Sequence, residues 1–181
     1  MPVTSTNLIQ GPATLYVGIF GATEPATISA APATGWTDVG GTTDGVTLSV
    51  ELEFAELNVD QLVDLAGQRI TKRVAKVKTN LAEATLANLA VALNELAGSV
   101  ATNKFTPSNG LTAFTPNYAA ILVDGLAPGG FKRRVIVRKC LQIGNVETNY
   151  KKDGQTLFPV EFASHYVSAS IAPFSWEDAT S

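Results

Sequence analysis

Three residue types in this chain could do chemistry, and their surroundings argue against each. His165, the single histidine, could serve as a general base or a metal ligand, but no serine, cysteine or aspartate motif accompanies it as a nucleophile and base pair would require. Cys140, the single cysteine, sits in RKCLQI, a strand-like setting in which a thiol acts as a small apolar packer. One cysteine excludes a disulfide within the chain, and no CxxC or paired Cys/His spacing offers a zinc site. Glu51 and Glu53 share one face of a strand, which suits a cation or paired acid and base. With no histidine or third carboxylate beside them, they read as a solvated face. Gly40 with Gly41, and Gly125 with Gly129 and Gly130, do not form a phosphate loop between a strand and a helix, and read as turns. No catalytic, cofactor-binding or metal-ligating residue is assigned, and the chain is not expected to be an enzyme.

The basic cluster Lys132, Arg133, Arg134, Arg138 and Lys139 puts charge on both faces of its strand, without the interleaved aromatics of a base-stacking surface. Ion pairs between subunits explain it better. The net charge of −3 likewise argues against a general affinity for phosphate.

The elements that position these residues are mostly strands. Leu48, Val50, Leu52 and Phe54 alternate with Ser49, Glu51 and Glu53, the period of two of a strand with one buried and one wet face. Beyond Phe54 the phase flips to Leu57 and Val59, with Glu56, Asn58 and Asp60 polar, so a bulge or bend is expected near Ala55. A second strand over Arg69–Thr79 carries Arg69, Lys72, Arg73, Lys76 and Lys78. Laid antiparallel across a turn near Leu65 to Gln68, it sets cations beside the acids. Such pairs contribute about 0.2–1 kcal/mol each and serve to fix register.

At Leu81 the period changes to about 3.6, with Leu86, Leu89, Ala90, Leu93 and Leu96 on one stripe. Asn80 and Glu83 have capping-box spacing and Gly98 can stop the helix, whose stripe is expected to pack on the sheet. Further strands are predicted over Thr14–Phe20, Tyr118–Leu126, Phe131–Gly144 and Thr156–Ser168, the last with Phe158, Val160 and Phe162 on one face. Ile171, Phe174 and Trp176 can anchor the C-terminal run to its own sheet or to a neighbour. Residues 21–45 read as a long arm that could be ordered on a neighbouring subunit, and residues 98–117 as a polar loop. The 181 residues are expected to form a single domain, a β-sandwich or partly closed barrel with one flanking helix. The N-terminal MPVTSTNLIQ lacks the basic and apolar regions of a secretory signal, and no stretch is long and apolar enough for a transmembrane helix, so synthesis in the cytoplasm is expected.

Three blocks, NLIQGPATLYVGIFGATEP from Asn7 to Pro25, GWTDVGGTTDGVTL from Gly35 to Leu48 and ITKRVAKVKTNLAEATLANLAVALN from Ile70 to Asn94, together with the closing half, resemble the major tail tube proteins of long-tailed bacteriophages. The resemblance spans nearly the whole chain apart from Gly98 to Asn117. It implies hexameric rings stacked into a hollow tube, with two hairpins of each subunit joined into a continuous β-barrel around the lumen. It also implies a virion location in a non-contractile tail. The implied partners are further copies of the chain, a tape measure protein and double-stranded DNA in the lumen, and terminator and tip proteins at the tube ends. A conduit for DNA should avoid strong attraction to phosphate, so Glu51, Glu53, Glu56 and Asp60 are candidates to face the channel. Trp36, Asp38, Arg69, Lys72, Arg73, Arg133, Arg134 and Trp176 are candidate contacts between subunits. The alternative reading is a monomeric β-barrel with a small apolar ligand in an interior cavity.

Overall fold

The computed structural model describes residues 3–61, 63–95, 100–109 and 116–179. Its strands are β1 (Thr14–Ile19), β2 (Trp36–Asp38), β3 (Thr42–Leu57), β4 (Gly67–Leu81), β5 (Val100–Ala101), β6 (Lys104–Phe105), β7 (Ala119–Leu126), β8 (Lys132–Gln142), β9 (Phe158–Ser164) and β10 (Phe174–Asp178), and its helix is α1 (Leu86–Ala92). Eight strands form one antiparallel sheet in the order β2-β1-β7-β8-β9-β4-β3, with β10 also paired to β8. β5 and β6 make a separate small hairpin within the segment expected to be a polar loop.

The mainly β expectation holds, and the closure follows from the chain path. β2 and β3 stand at opposite ends of the strand order, yet only Val39, Gly40 and Gly41 separate them. Val39 N donates to Leu15 O on β1 (3.1 Å), and Ala82 N, just past β4, donates to Gly41 O (2.8 Å). The link thereby draws the two ends of the sheet together into a partly closed barrel. Gly40 has φ +80°, and the Glu83 carboxylate occupies the space a Cβ would need, so glycine is required there.

The barrel is filled by the strands' inward residues. Leu15, Val77, Leu81, Ile121 and Cys140 are completely buried, and Phe158, Val160 and Phe162 line one face of β9 among them. Burying each of the larger side chains contributes about 1.5–3 kcal/mol.

The helix is shorter than the periodicity predicts. β4 runs through Leu81 because its ladder with β9 continues to the Leu81 and Phe158 pair, which keeps Asn80 extended. Asn80 therefore does not cap the helix, and its amide donates to Asp44 (2.9 Å). Thr85 is the N-cap, accepting from Asn88 N (3.2 Å), while Glu83 accepts from Gly41 N (3.1 Å). Asn88, Ala90 and Ala92 are the buried helix residues and Leu93 is exposed, so the packing face is rotated from the expected stripe. The Asn88 amide donates to Val39 O and Glu83 O (both 2.9 Å), fastening helix to link. Leu96 and Gly98 lie outside the described residues.

β7 and β8 are buried on both faces. Ala120, Leu122 and Ile136 point away from the barrel, and Ala120 and Ile136 lie beneath Phe20, Ala22, Trp36, Val167 and Ile171. The arm is thus laid on its own sheet. Arg134, 2% exposed, holds it there. Its guanidinium donates twice to Asp124 (2.7 and 2.8 Å) and to the arm carbonyls of Thr27 (3.1 Å) and Ala30 (2.9 Å). Arg138 reinforces the contact through Glu24 (2.6 and 3.0 Å), and Trp36 Nε1 donates to Thr23 O (2.8 Å).

Burial alone would push the Asp124 carboxyl up, but hydrogen bonds and charge from Arg134 and Lys132 outweigh it and hold it below the ordinary carboxylate value. A carboxyl whose folded value lies below its unfolded value of about 3.9 stabilises the fold fully at neutral pH. That contribution is lost as pH falls through the depressed value. Two outcomes are expected. Arg134→Met, which keeps the stem and removes the donors, should cost about 3–5 kcal/mol in urea unfolding, and a loss below about 1 kcal/mol would show that the pair does not hold the fold. Asp124→Asn should flatten the acid limb of stability below about pH 4, whereas parallel limbs in the two proteins would exclude Asp124 as its source.

Candidate functional site

The least covered part of the chain is the β3–β4 hairpin. β4 is flanked by β9 only over Lys76–Leu81, and among the described residues β3 has no strand on its outer side, so β3 beyond Val50 and β4 before Ala75 project as a two-stranded ribbon. Such ribbons are marginal alone in water, since neither face is covered.

Cross-strand neighbours share a face. The pairs Leu48 with Val77, Val50 with Ala75, Leu52 with Arg73 and Phe54 with Ile70 therefore continue the barrel's inner face outward. Leu48 packs against the core, but Val50, Leu52, Phe54 and Ile70 are 41%, 44%, 52% and 55% exposed. Period-two reasoning read Leu48 to Phe54 as one buried face, and the structure buries only its base. The opposite face is a charge ladder. Glu51 meets Lys76 (2.7 Å), Glu53 meets Lys72 (2.6 Å), and Glu161 on β9 meets Lys76 (3.4 Å) and Lys78 (4.0 Å). The hydrogen bond from Lys76 to Glu51 raises the lysine's pKa above its ordinary value, so Lys76 keeps its charge at neutral pH. The expected irregularity near Ala55 is found between Glu53 and Phe54, where the pairing skips Thr71 on β4.

The remaining predicted contact residues divide. Lys72 is engaged with Glu53, and Arg73 stands over the Phe174 ring (5.6 Å). Asp38 accepts from Gly40 N (2.9 Å), and Arg133 forms a two-bond pair with Asp178 (2.6 and 2.7 Å). Arg134 is buried and makes its hydrogen bonds within the chain. The basic cluster as a whole is likewise satisfied within the chain: Lys132 pairs with Asp124 (2.9 Å), and Lys139 lies over the rings of Tyr118 (4.3 Å) and Phe20 (5.2 Å). Glu56, Asp60 and Arg69 are exposed and form no ion pair among the described residues, and Trp176 is 52% exposed on β10.

Burial raises the Cys140 thiol far above its ordinary pKa, and its Sγ donates to Ala119 O (3.3 Å), so no reactive thiolate forms there. His165 Nδ1 lies 3.0 Å from Ala163 O, and its ring meets Tyr118 edge-on. Among the described residues no three His, Cys, Asp or Glu gather as a metal site, and no helix is long and apolar enough to cross a membrane. An apolar recess of about 110 Å³ lies between α1 and β1, lined by Val17, Val39, Ala87 and Val91.

No family model matches the chain, and no curated protein matches it. Among solved structures, a chain in the cryo-electron-microscopy structure of the anti-feeding prophage baseplate, symmetrised sixfold, is similar over 98% of this chain and 97% of its own, with a TM-score of 0.49 and 10% identity.

Because the hairpin's apolar face is uncovered in the subunit, Phe54→Ser should change the monomer's unfolding free energy by no more than about 0.5 kcal/mol. A loss above about 1.5 kcal/mol in chemical denaturation would show that this face is already packed.

Proposed function

We propose that the chain is a structural subunit of a bacteriophage tail tube, forming hexameric rings that stack into a conduit for DNA. The observation that carries this reading is the bare β3–β4 ribbon, whose inner face continues the barrel core outward with no cover. Half-exposed Val50, Leu52, Phe54 and Ile70 each forgo roughly half of the 1.5–3 kcal/mol that full burial gives, and an unpaired strand edge invites pairing. A closed ring satisfies both at once, because each copy's exposed surface is used by the next and no edge is left over. The blocks over Asn7–Pro25, Gly35–Leu48 and Ile70–Asn94 that resemble tail tube proteins point the same way.

The function is passive. The ladder joining Glu51 to Lys76 and Glu53 to Lys72 neutralises both lysines and leaves Arg69 as the unpaired cation of this face among the described residues, so a wall built of this face would hold phosphate only weakly. Glu56 and Asp60, without cationic partners among the described residues, would add repulsion near the tip if they face the channel. The tape measure protein would share the lumen, and terminator and tip proteins would close the ends. An interior ligand site, which the monomeric-binder reading requires, is not favoured, because the barrel interior is filled by Leu15, Val77, Ile121 and Phe162.

Negative-stain electron microscopy of the purified protein across a concentration series tests the proposal. Sixfold rings or tubes are expected from the wild type, and their loss from Leu52→Lys with Phe54→Lys at unchanged circular dichroism. A wild type that remains monomeric at high concentration, or a double variant that assembles normally, would overturn it.

A further inference from the structure

β9 and β10 are two stretches of one strand line along β8. Ser164 pairs with Cys140, His165 N donates to Lys139 O (2.8 Å), Arg138 N donates to Pro173 O (2.9 Å), and Phe174 then pairs with Val137, so only the intervening residues loop away. β4 follows this line antiparallel as far as Lys76 and then leaves it. The last hydrogen bond is Ala75 N donating to Ser164 Oγ (2.8 Å), and Arg73 still reaches β10 over the Phe174 ring (5.6 Å). Beyond that hydrogen bond the sheet forks, with the inner edge of β4 on one side and the outer edge of β10 on the other, and neither edge carries a strand among the described residues.

We infer that these two edges are the halves of an interface between copies: β10 of one subunit takes the inner edge of β4, residues 67–74, of a second. This rests on the assembly reading above and names the surfaces that assembly would use. Three features of the chain converge on it. The strand polarity is right, because β10 runs in the direction of β9, to which β4 is already antiparallel. The charges still open are complementary, because this stretch of β4 offers Arg69 and β10 offers Glu177, whereas Lys72, Arg73 and Asp178 already meet Glu53, the Phe174 ring and Arg133 within the chain. The faces also match. Ile70 lies on the face of Phe54, and Trp176, paired with Val135, lies on the same inner face of the sheet, so two side chains that are each more than half exposed come together. On the other face Arg69, paired with Ala55, and Glu177, paired with Arg134, are the unmatched charges. The occupant is a second copy, because within the chain the β4–β9 ladder stops at Lys76 and β10 pairs with β8 alone among the described residues.

A double variant, Ile70→Cys with Trp176→Cys, tests this under mild oxidation, since both positions are exposed and the native Cys140 is buried. A reducible ladder of covalent oligomers is expected, absent from either single variant. A fast-migrating, internally bridged monomer would overturn the inference by showing that the fork closes within one chain. Rings by electron microscopy without a ladder would overturn it and leave the tube reading standing, and neither rings nor ladder would overturn both. As a second readout, Glu177→Arg should reduce assembly about tenfold or more, and adding Arg69→Glu should restore it. Normal assembly of the Glu177→Arg variant, or no rescue by the pair, counts against the pairing.

Discussion

A guanidinium that has lost its water must give each nitrogen a partner, and in this fold Arg134 does so by drawing three segments together. It sits on β8 with Asp124 of β7 beside it and the carbonyls of Thr27 and Ala30 over it, so the arm, the sheet centre and one carboxylate are mutually determined. Without the arm, Ala120, Leu122 and Ile136 would open to water on the outer face of β7 and β8, while the inner face already supports the barrel core. The pair gives little net energy over an apolar substitute of equal shape, but it tolerates no partial loss, because an orphaned buried charge is far costlier than none. Its effect is to fix one path for residues 20–35, which have few apolar side chains to choose a path for themselves.

That fixed path has a consequence at the far end of the sheet. The arm delivers the chain to β2, and Val39 to Gly41 carry it directly to β3, so the position of the hairpin's base follows from how the arm is laid. The barrel is thus rigid where it is closed and bare where it projects. Residues that look alike in sequence separate on this boundary: Leu48 is part of the core, while Leu52 and Phe54, in the same phase of the same strand, are not.

The strands were largely legible from sequence, because period two is a local signal and Phe158, Val160 and Phe162 obey it. What defeated local reading was always a non-local partner. Leu81 has helical periodicity behind it, but the ladder to Phe158 holds it extended, and the helix begins only at Leu86. β2 and β10 are short stretches with little pattern of their own, and the neighbouring strands β1 and β8 define them. The candidate site was half legible. The acids and bases of the hairpin were expected to pair across strands, and Glu53 with Lys72 does so. Arg134 could not be told from Arg133 by type or spacing, since its burial depends on an arm more than a hundred residues away in sequence. The exposure of Phe54 was hidden for the opposite reason: alternation reports which face is apolar, and says nothing of whether the chain supplies a cover.

A projecting ribbon with an apolar face is also a hazard, and the hairpin's details limit it. Its other face carries Glu51, Glu53, Lys72 and Lys76, so like surfaces of two copies stacked face to face would bring charge against charge or leave an apolar stripe in water. The skipped Thr71 breaks the ladder between Glu53 and Phe54, which twists the ribbon and disfavours flat, register-free stacking. Both devices leave a twisted, charge-matched edge as the favourable approach. A surface that is apolar enough to be worth covering, yet shaped so that few geometries cover it, disfavours indiscriminate aggregation, and in this chain that restraint is written into the same two strands that create the need for it.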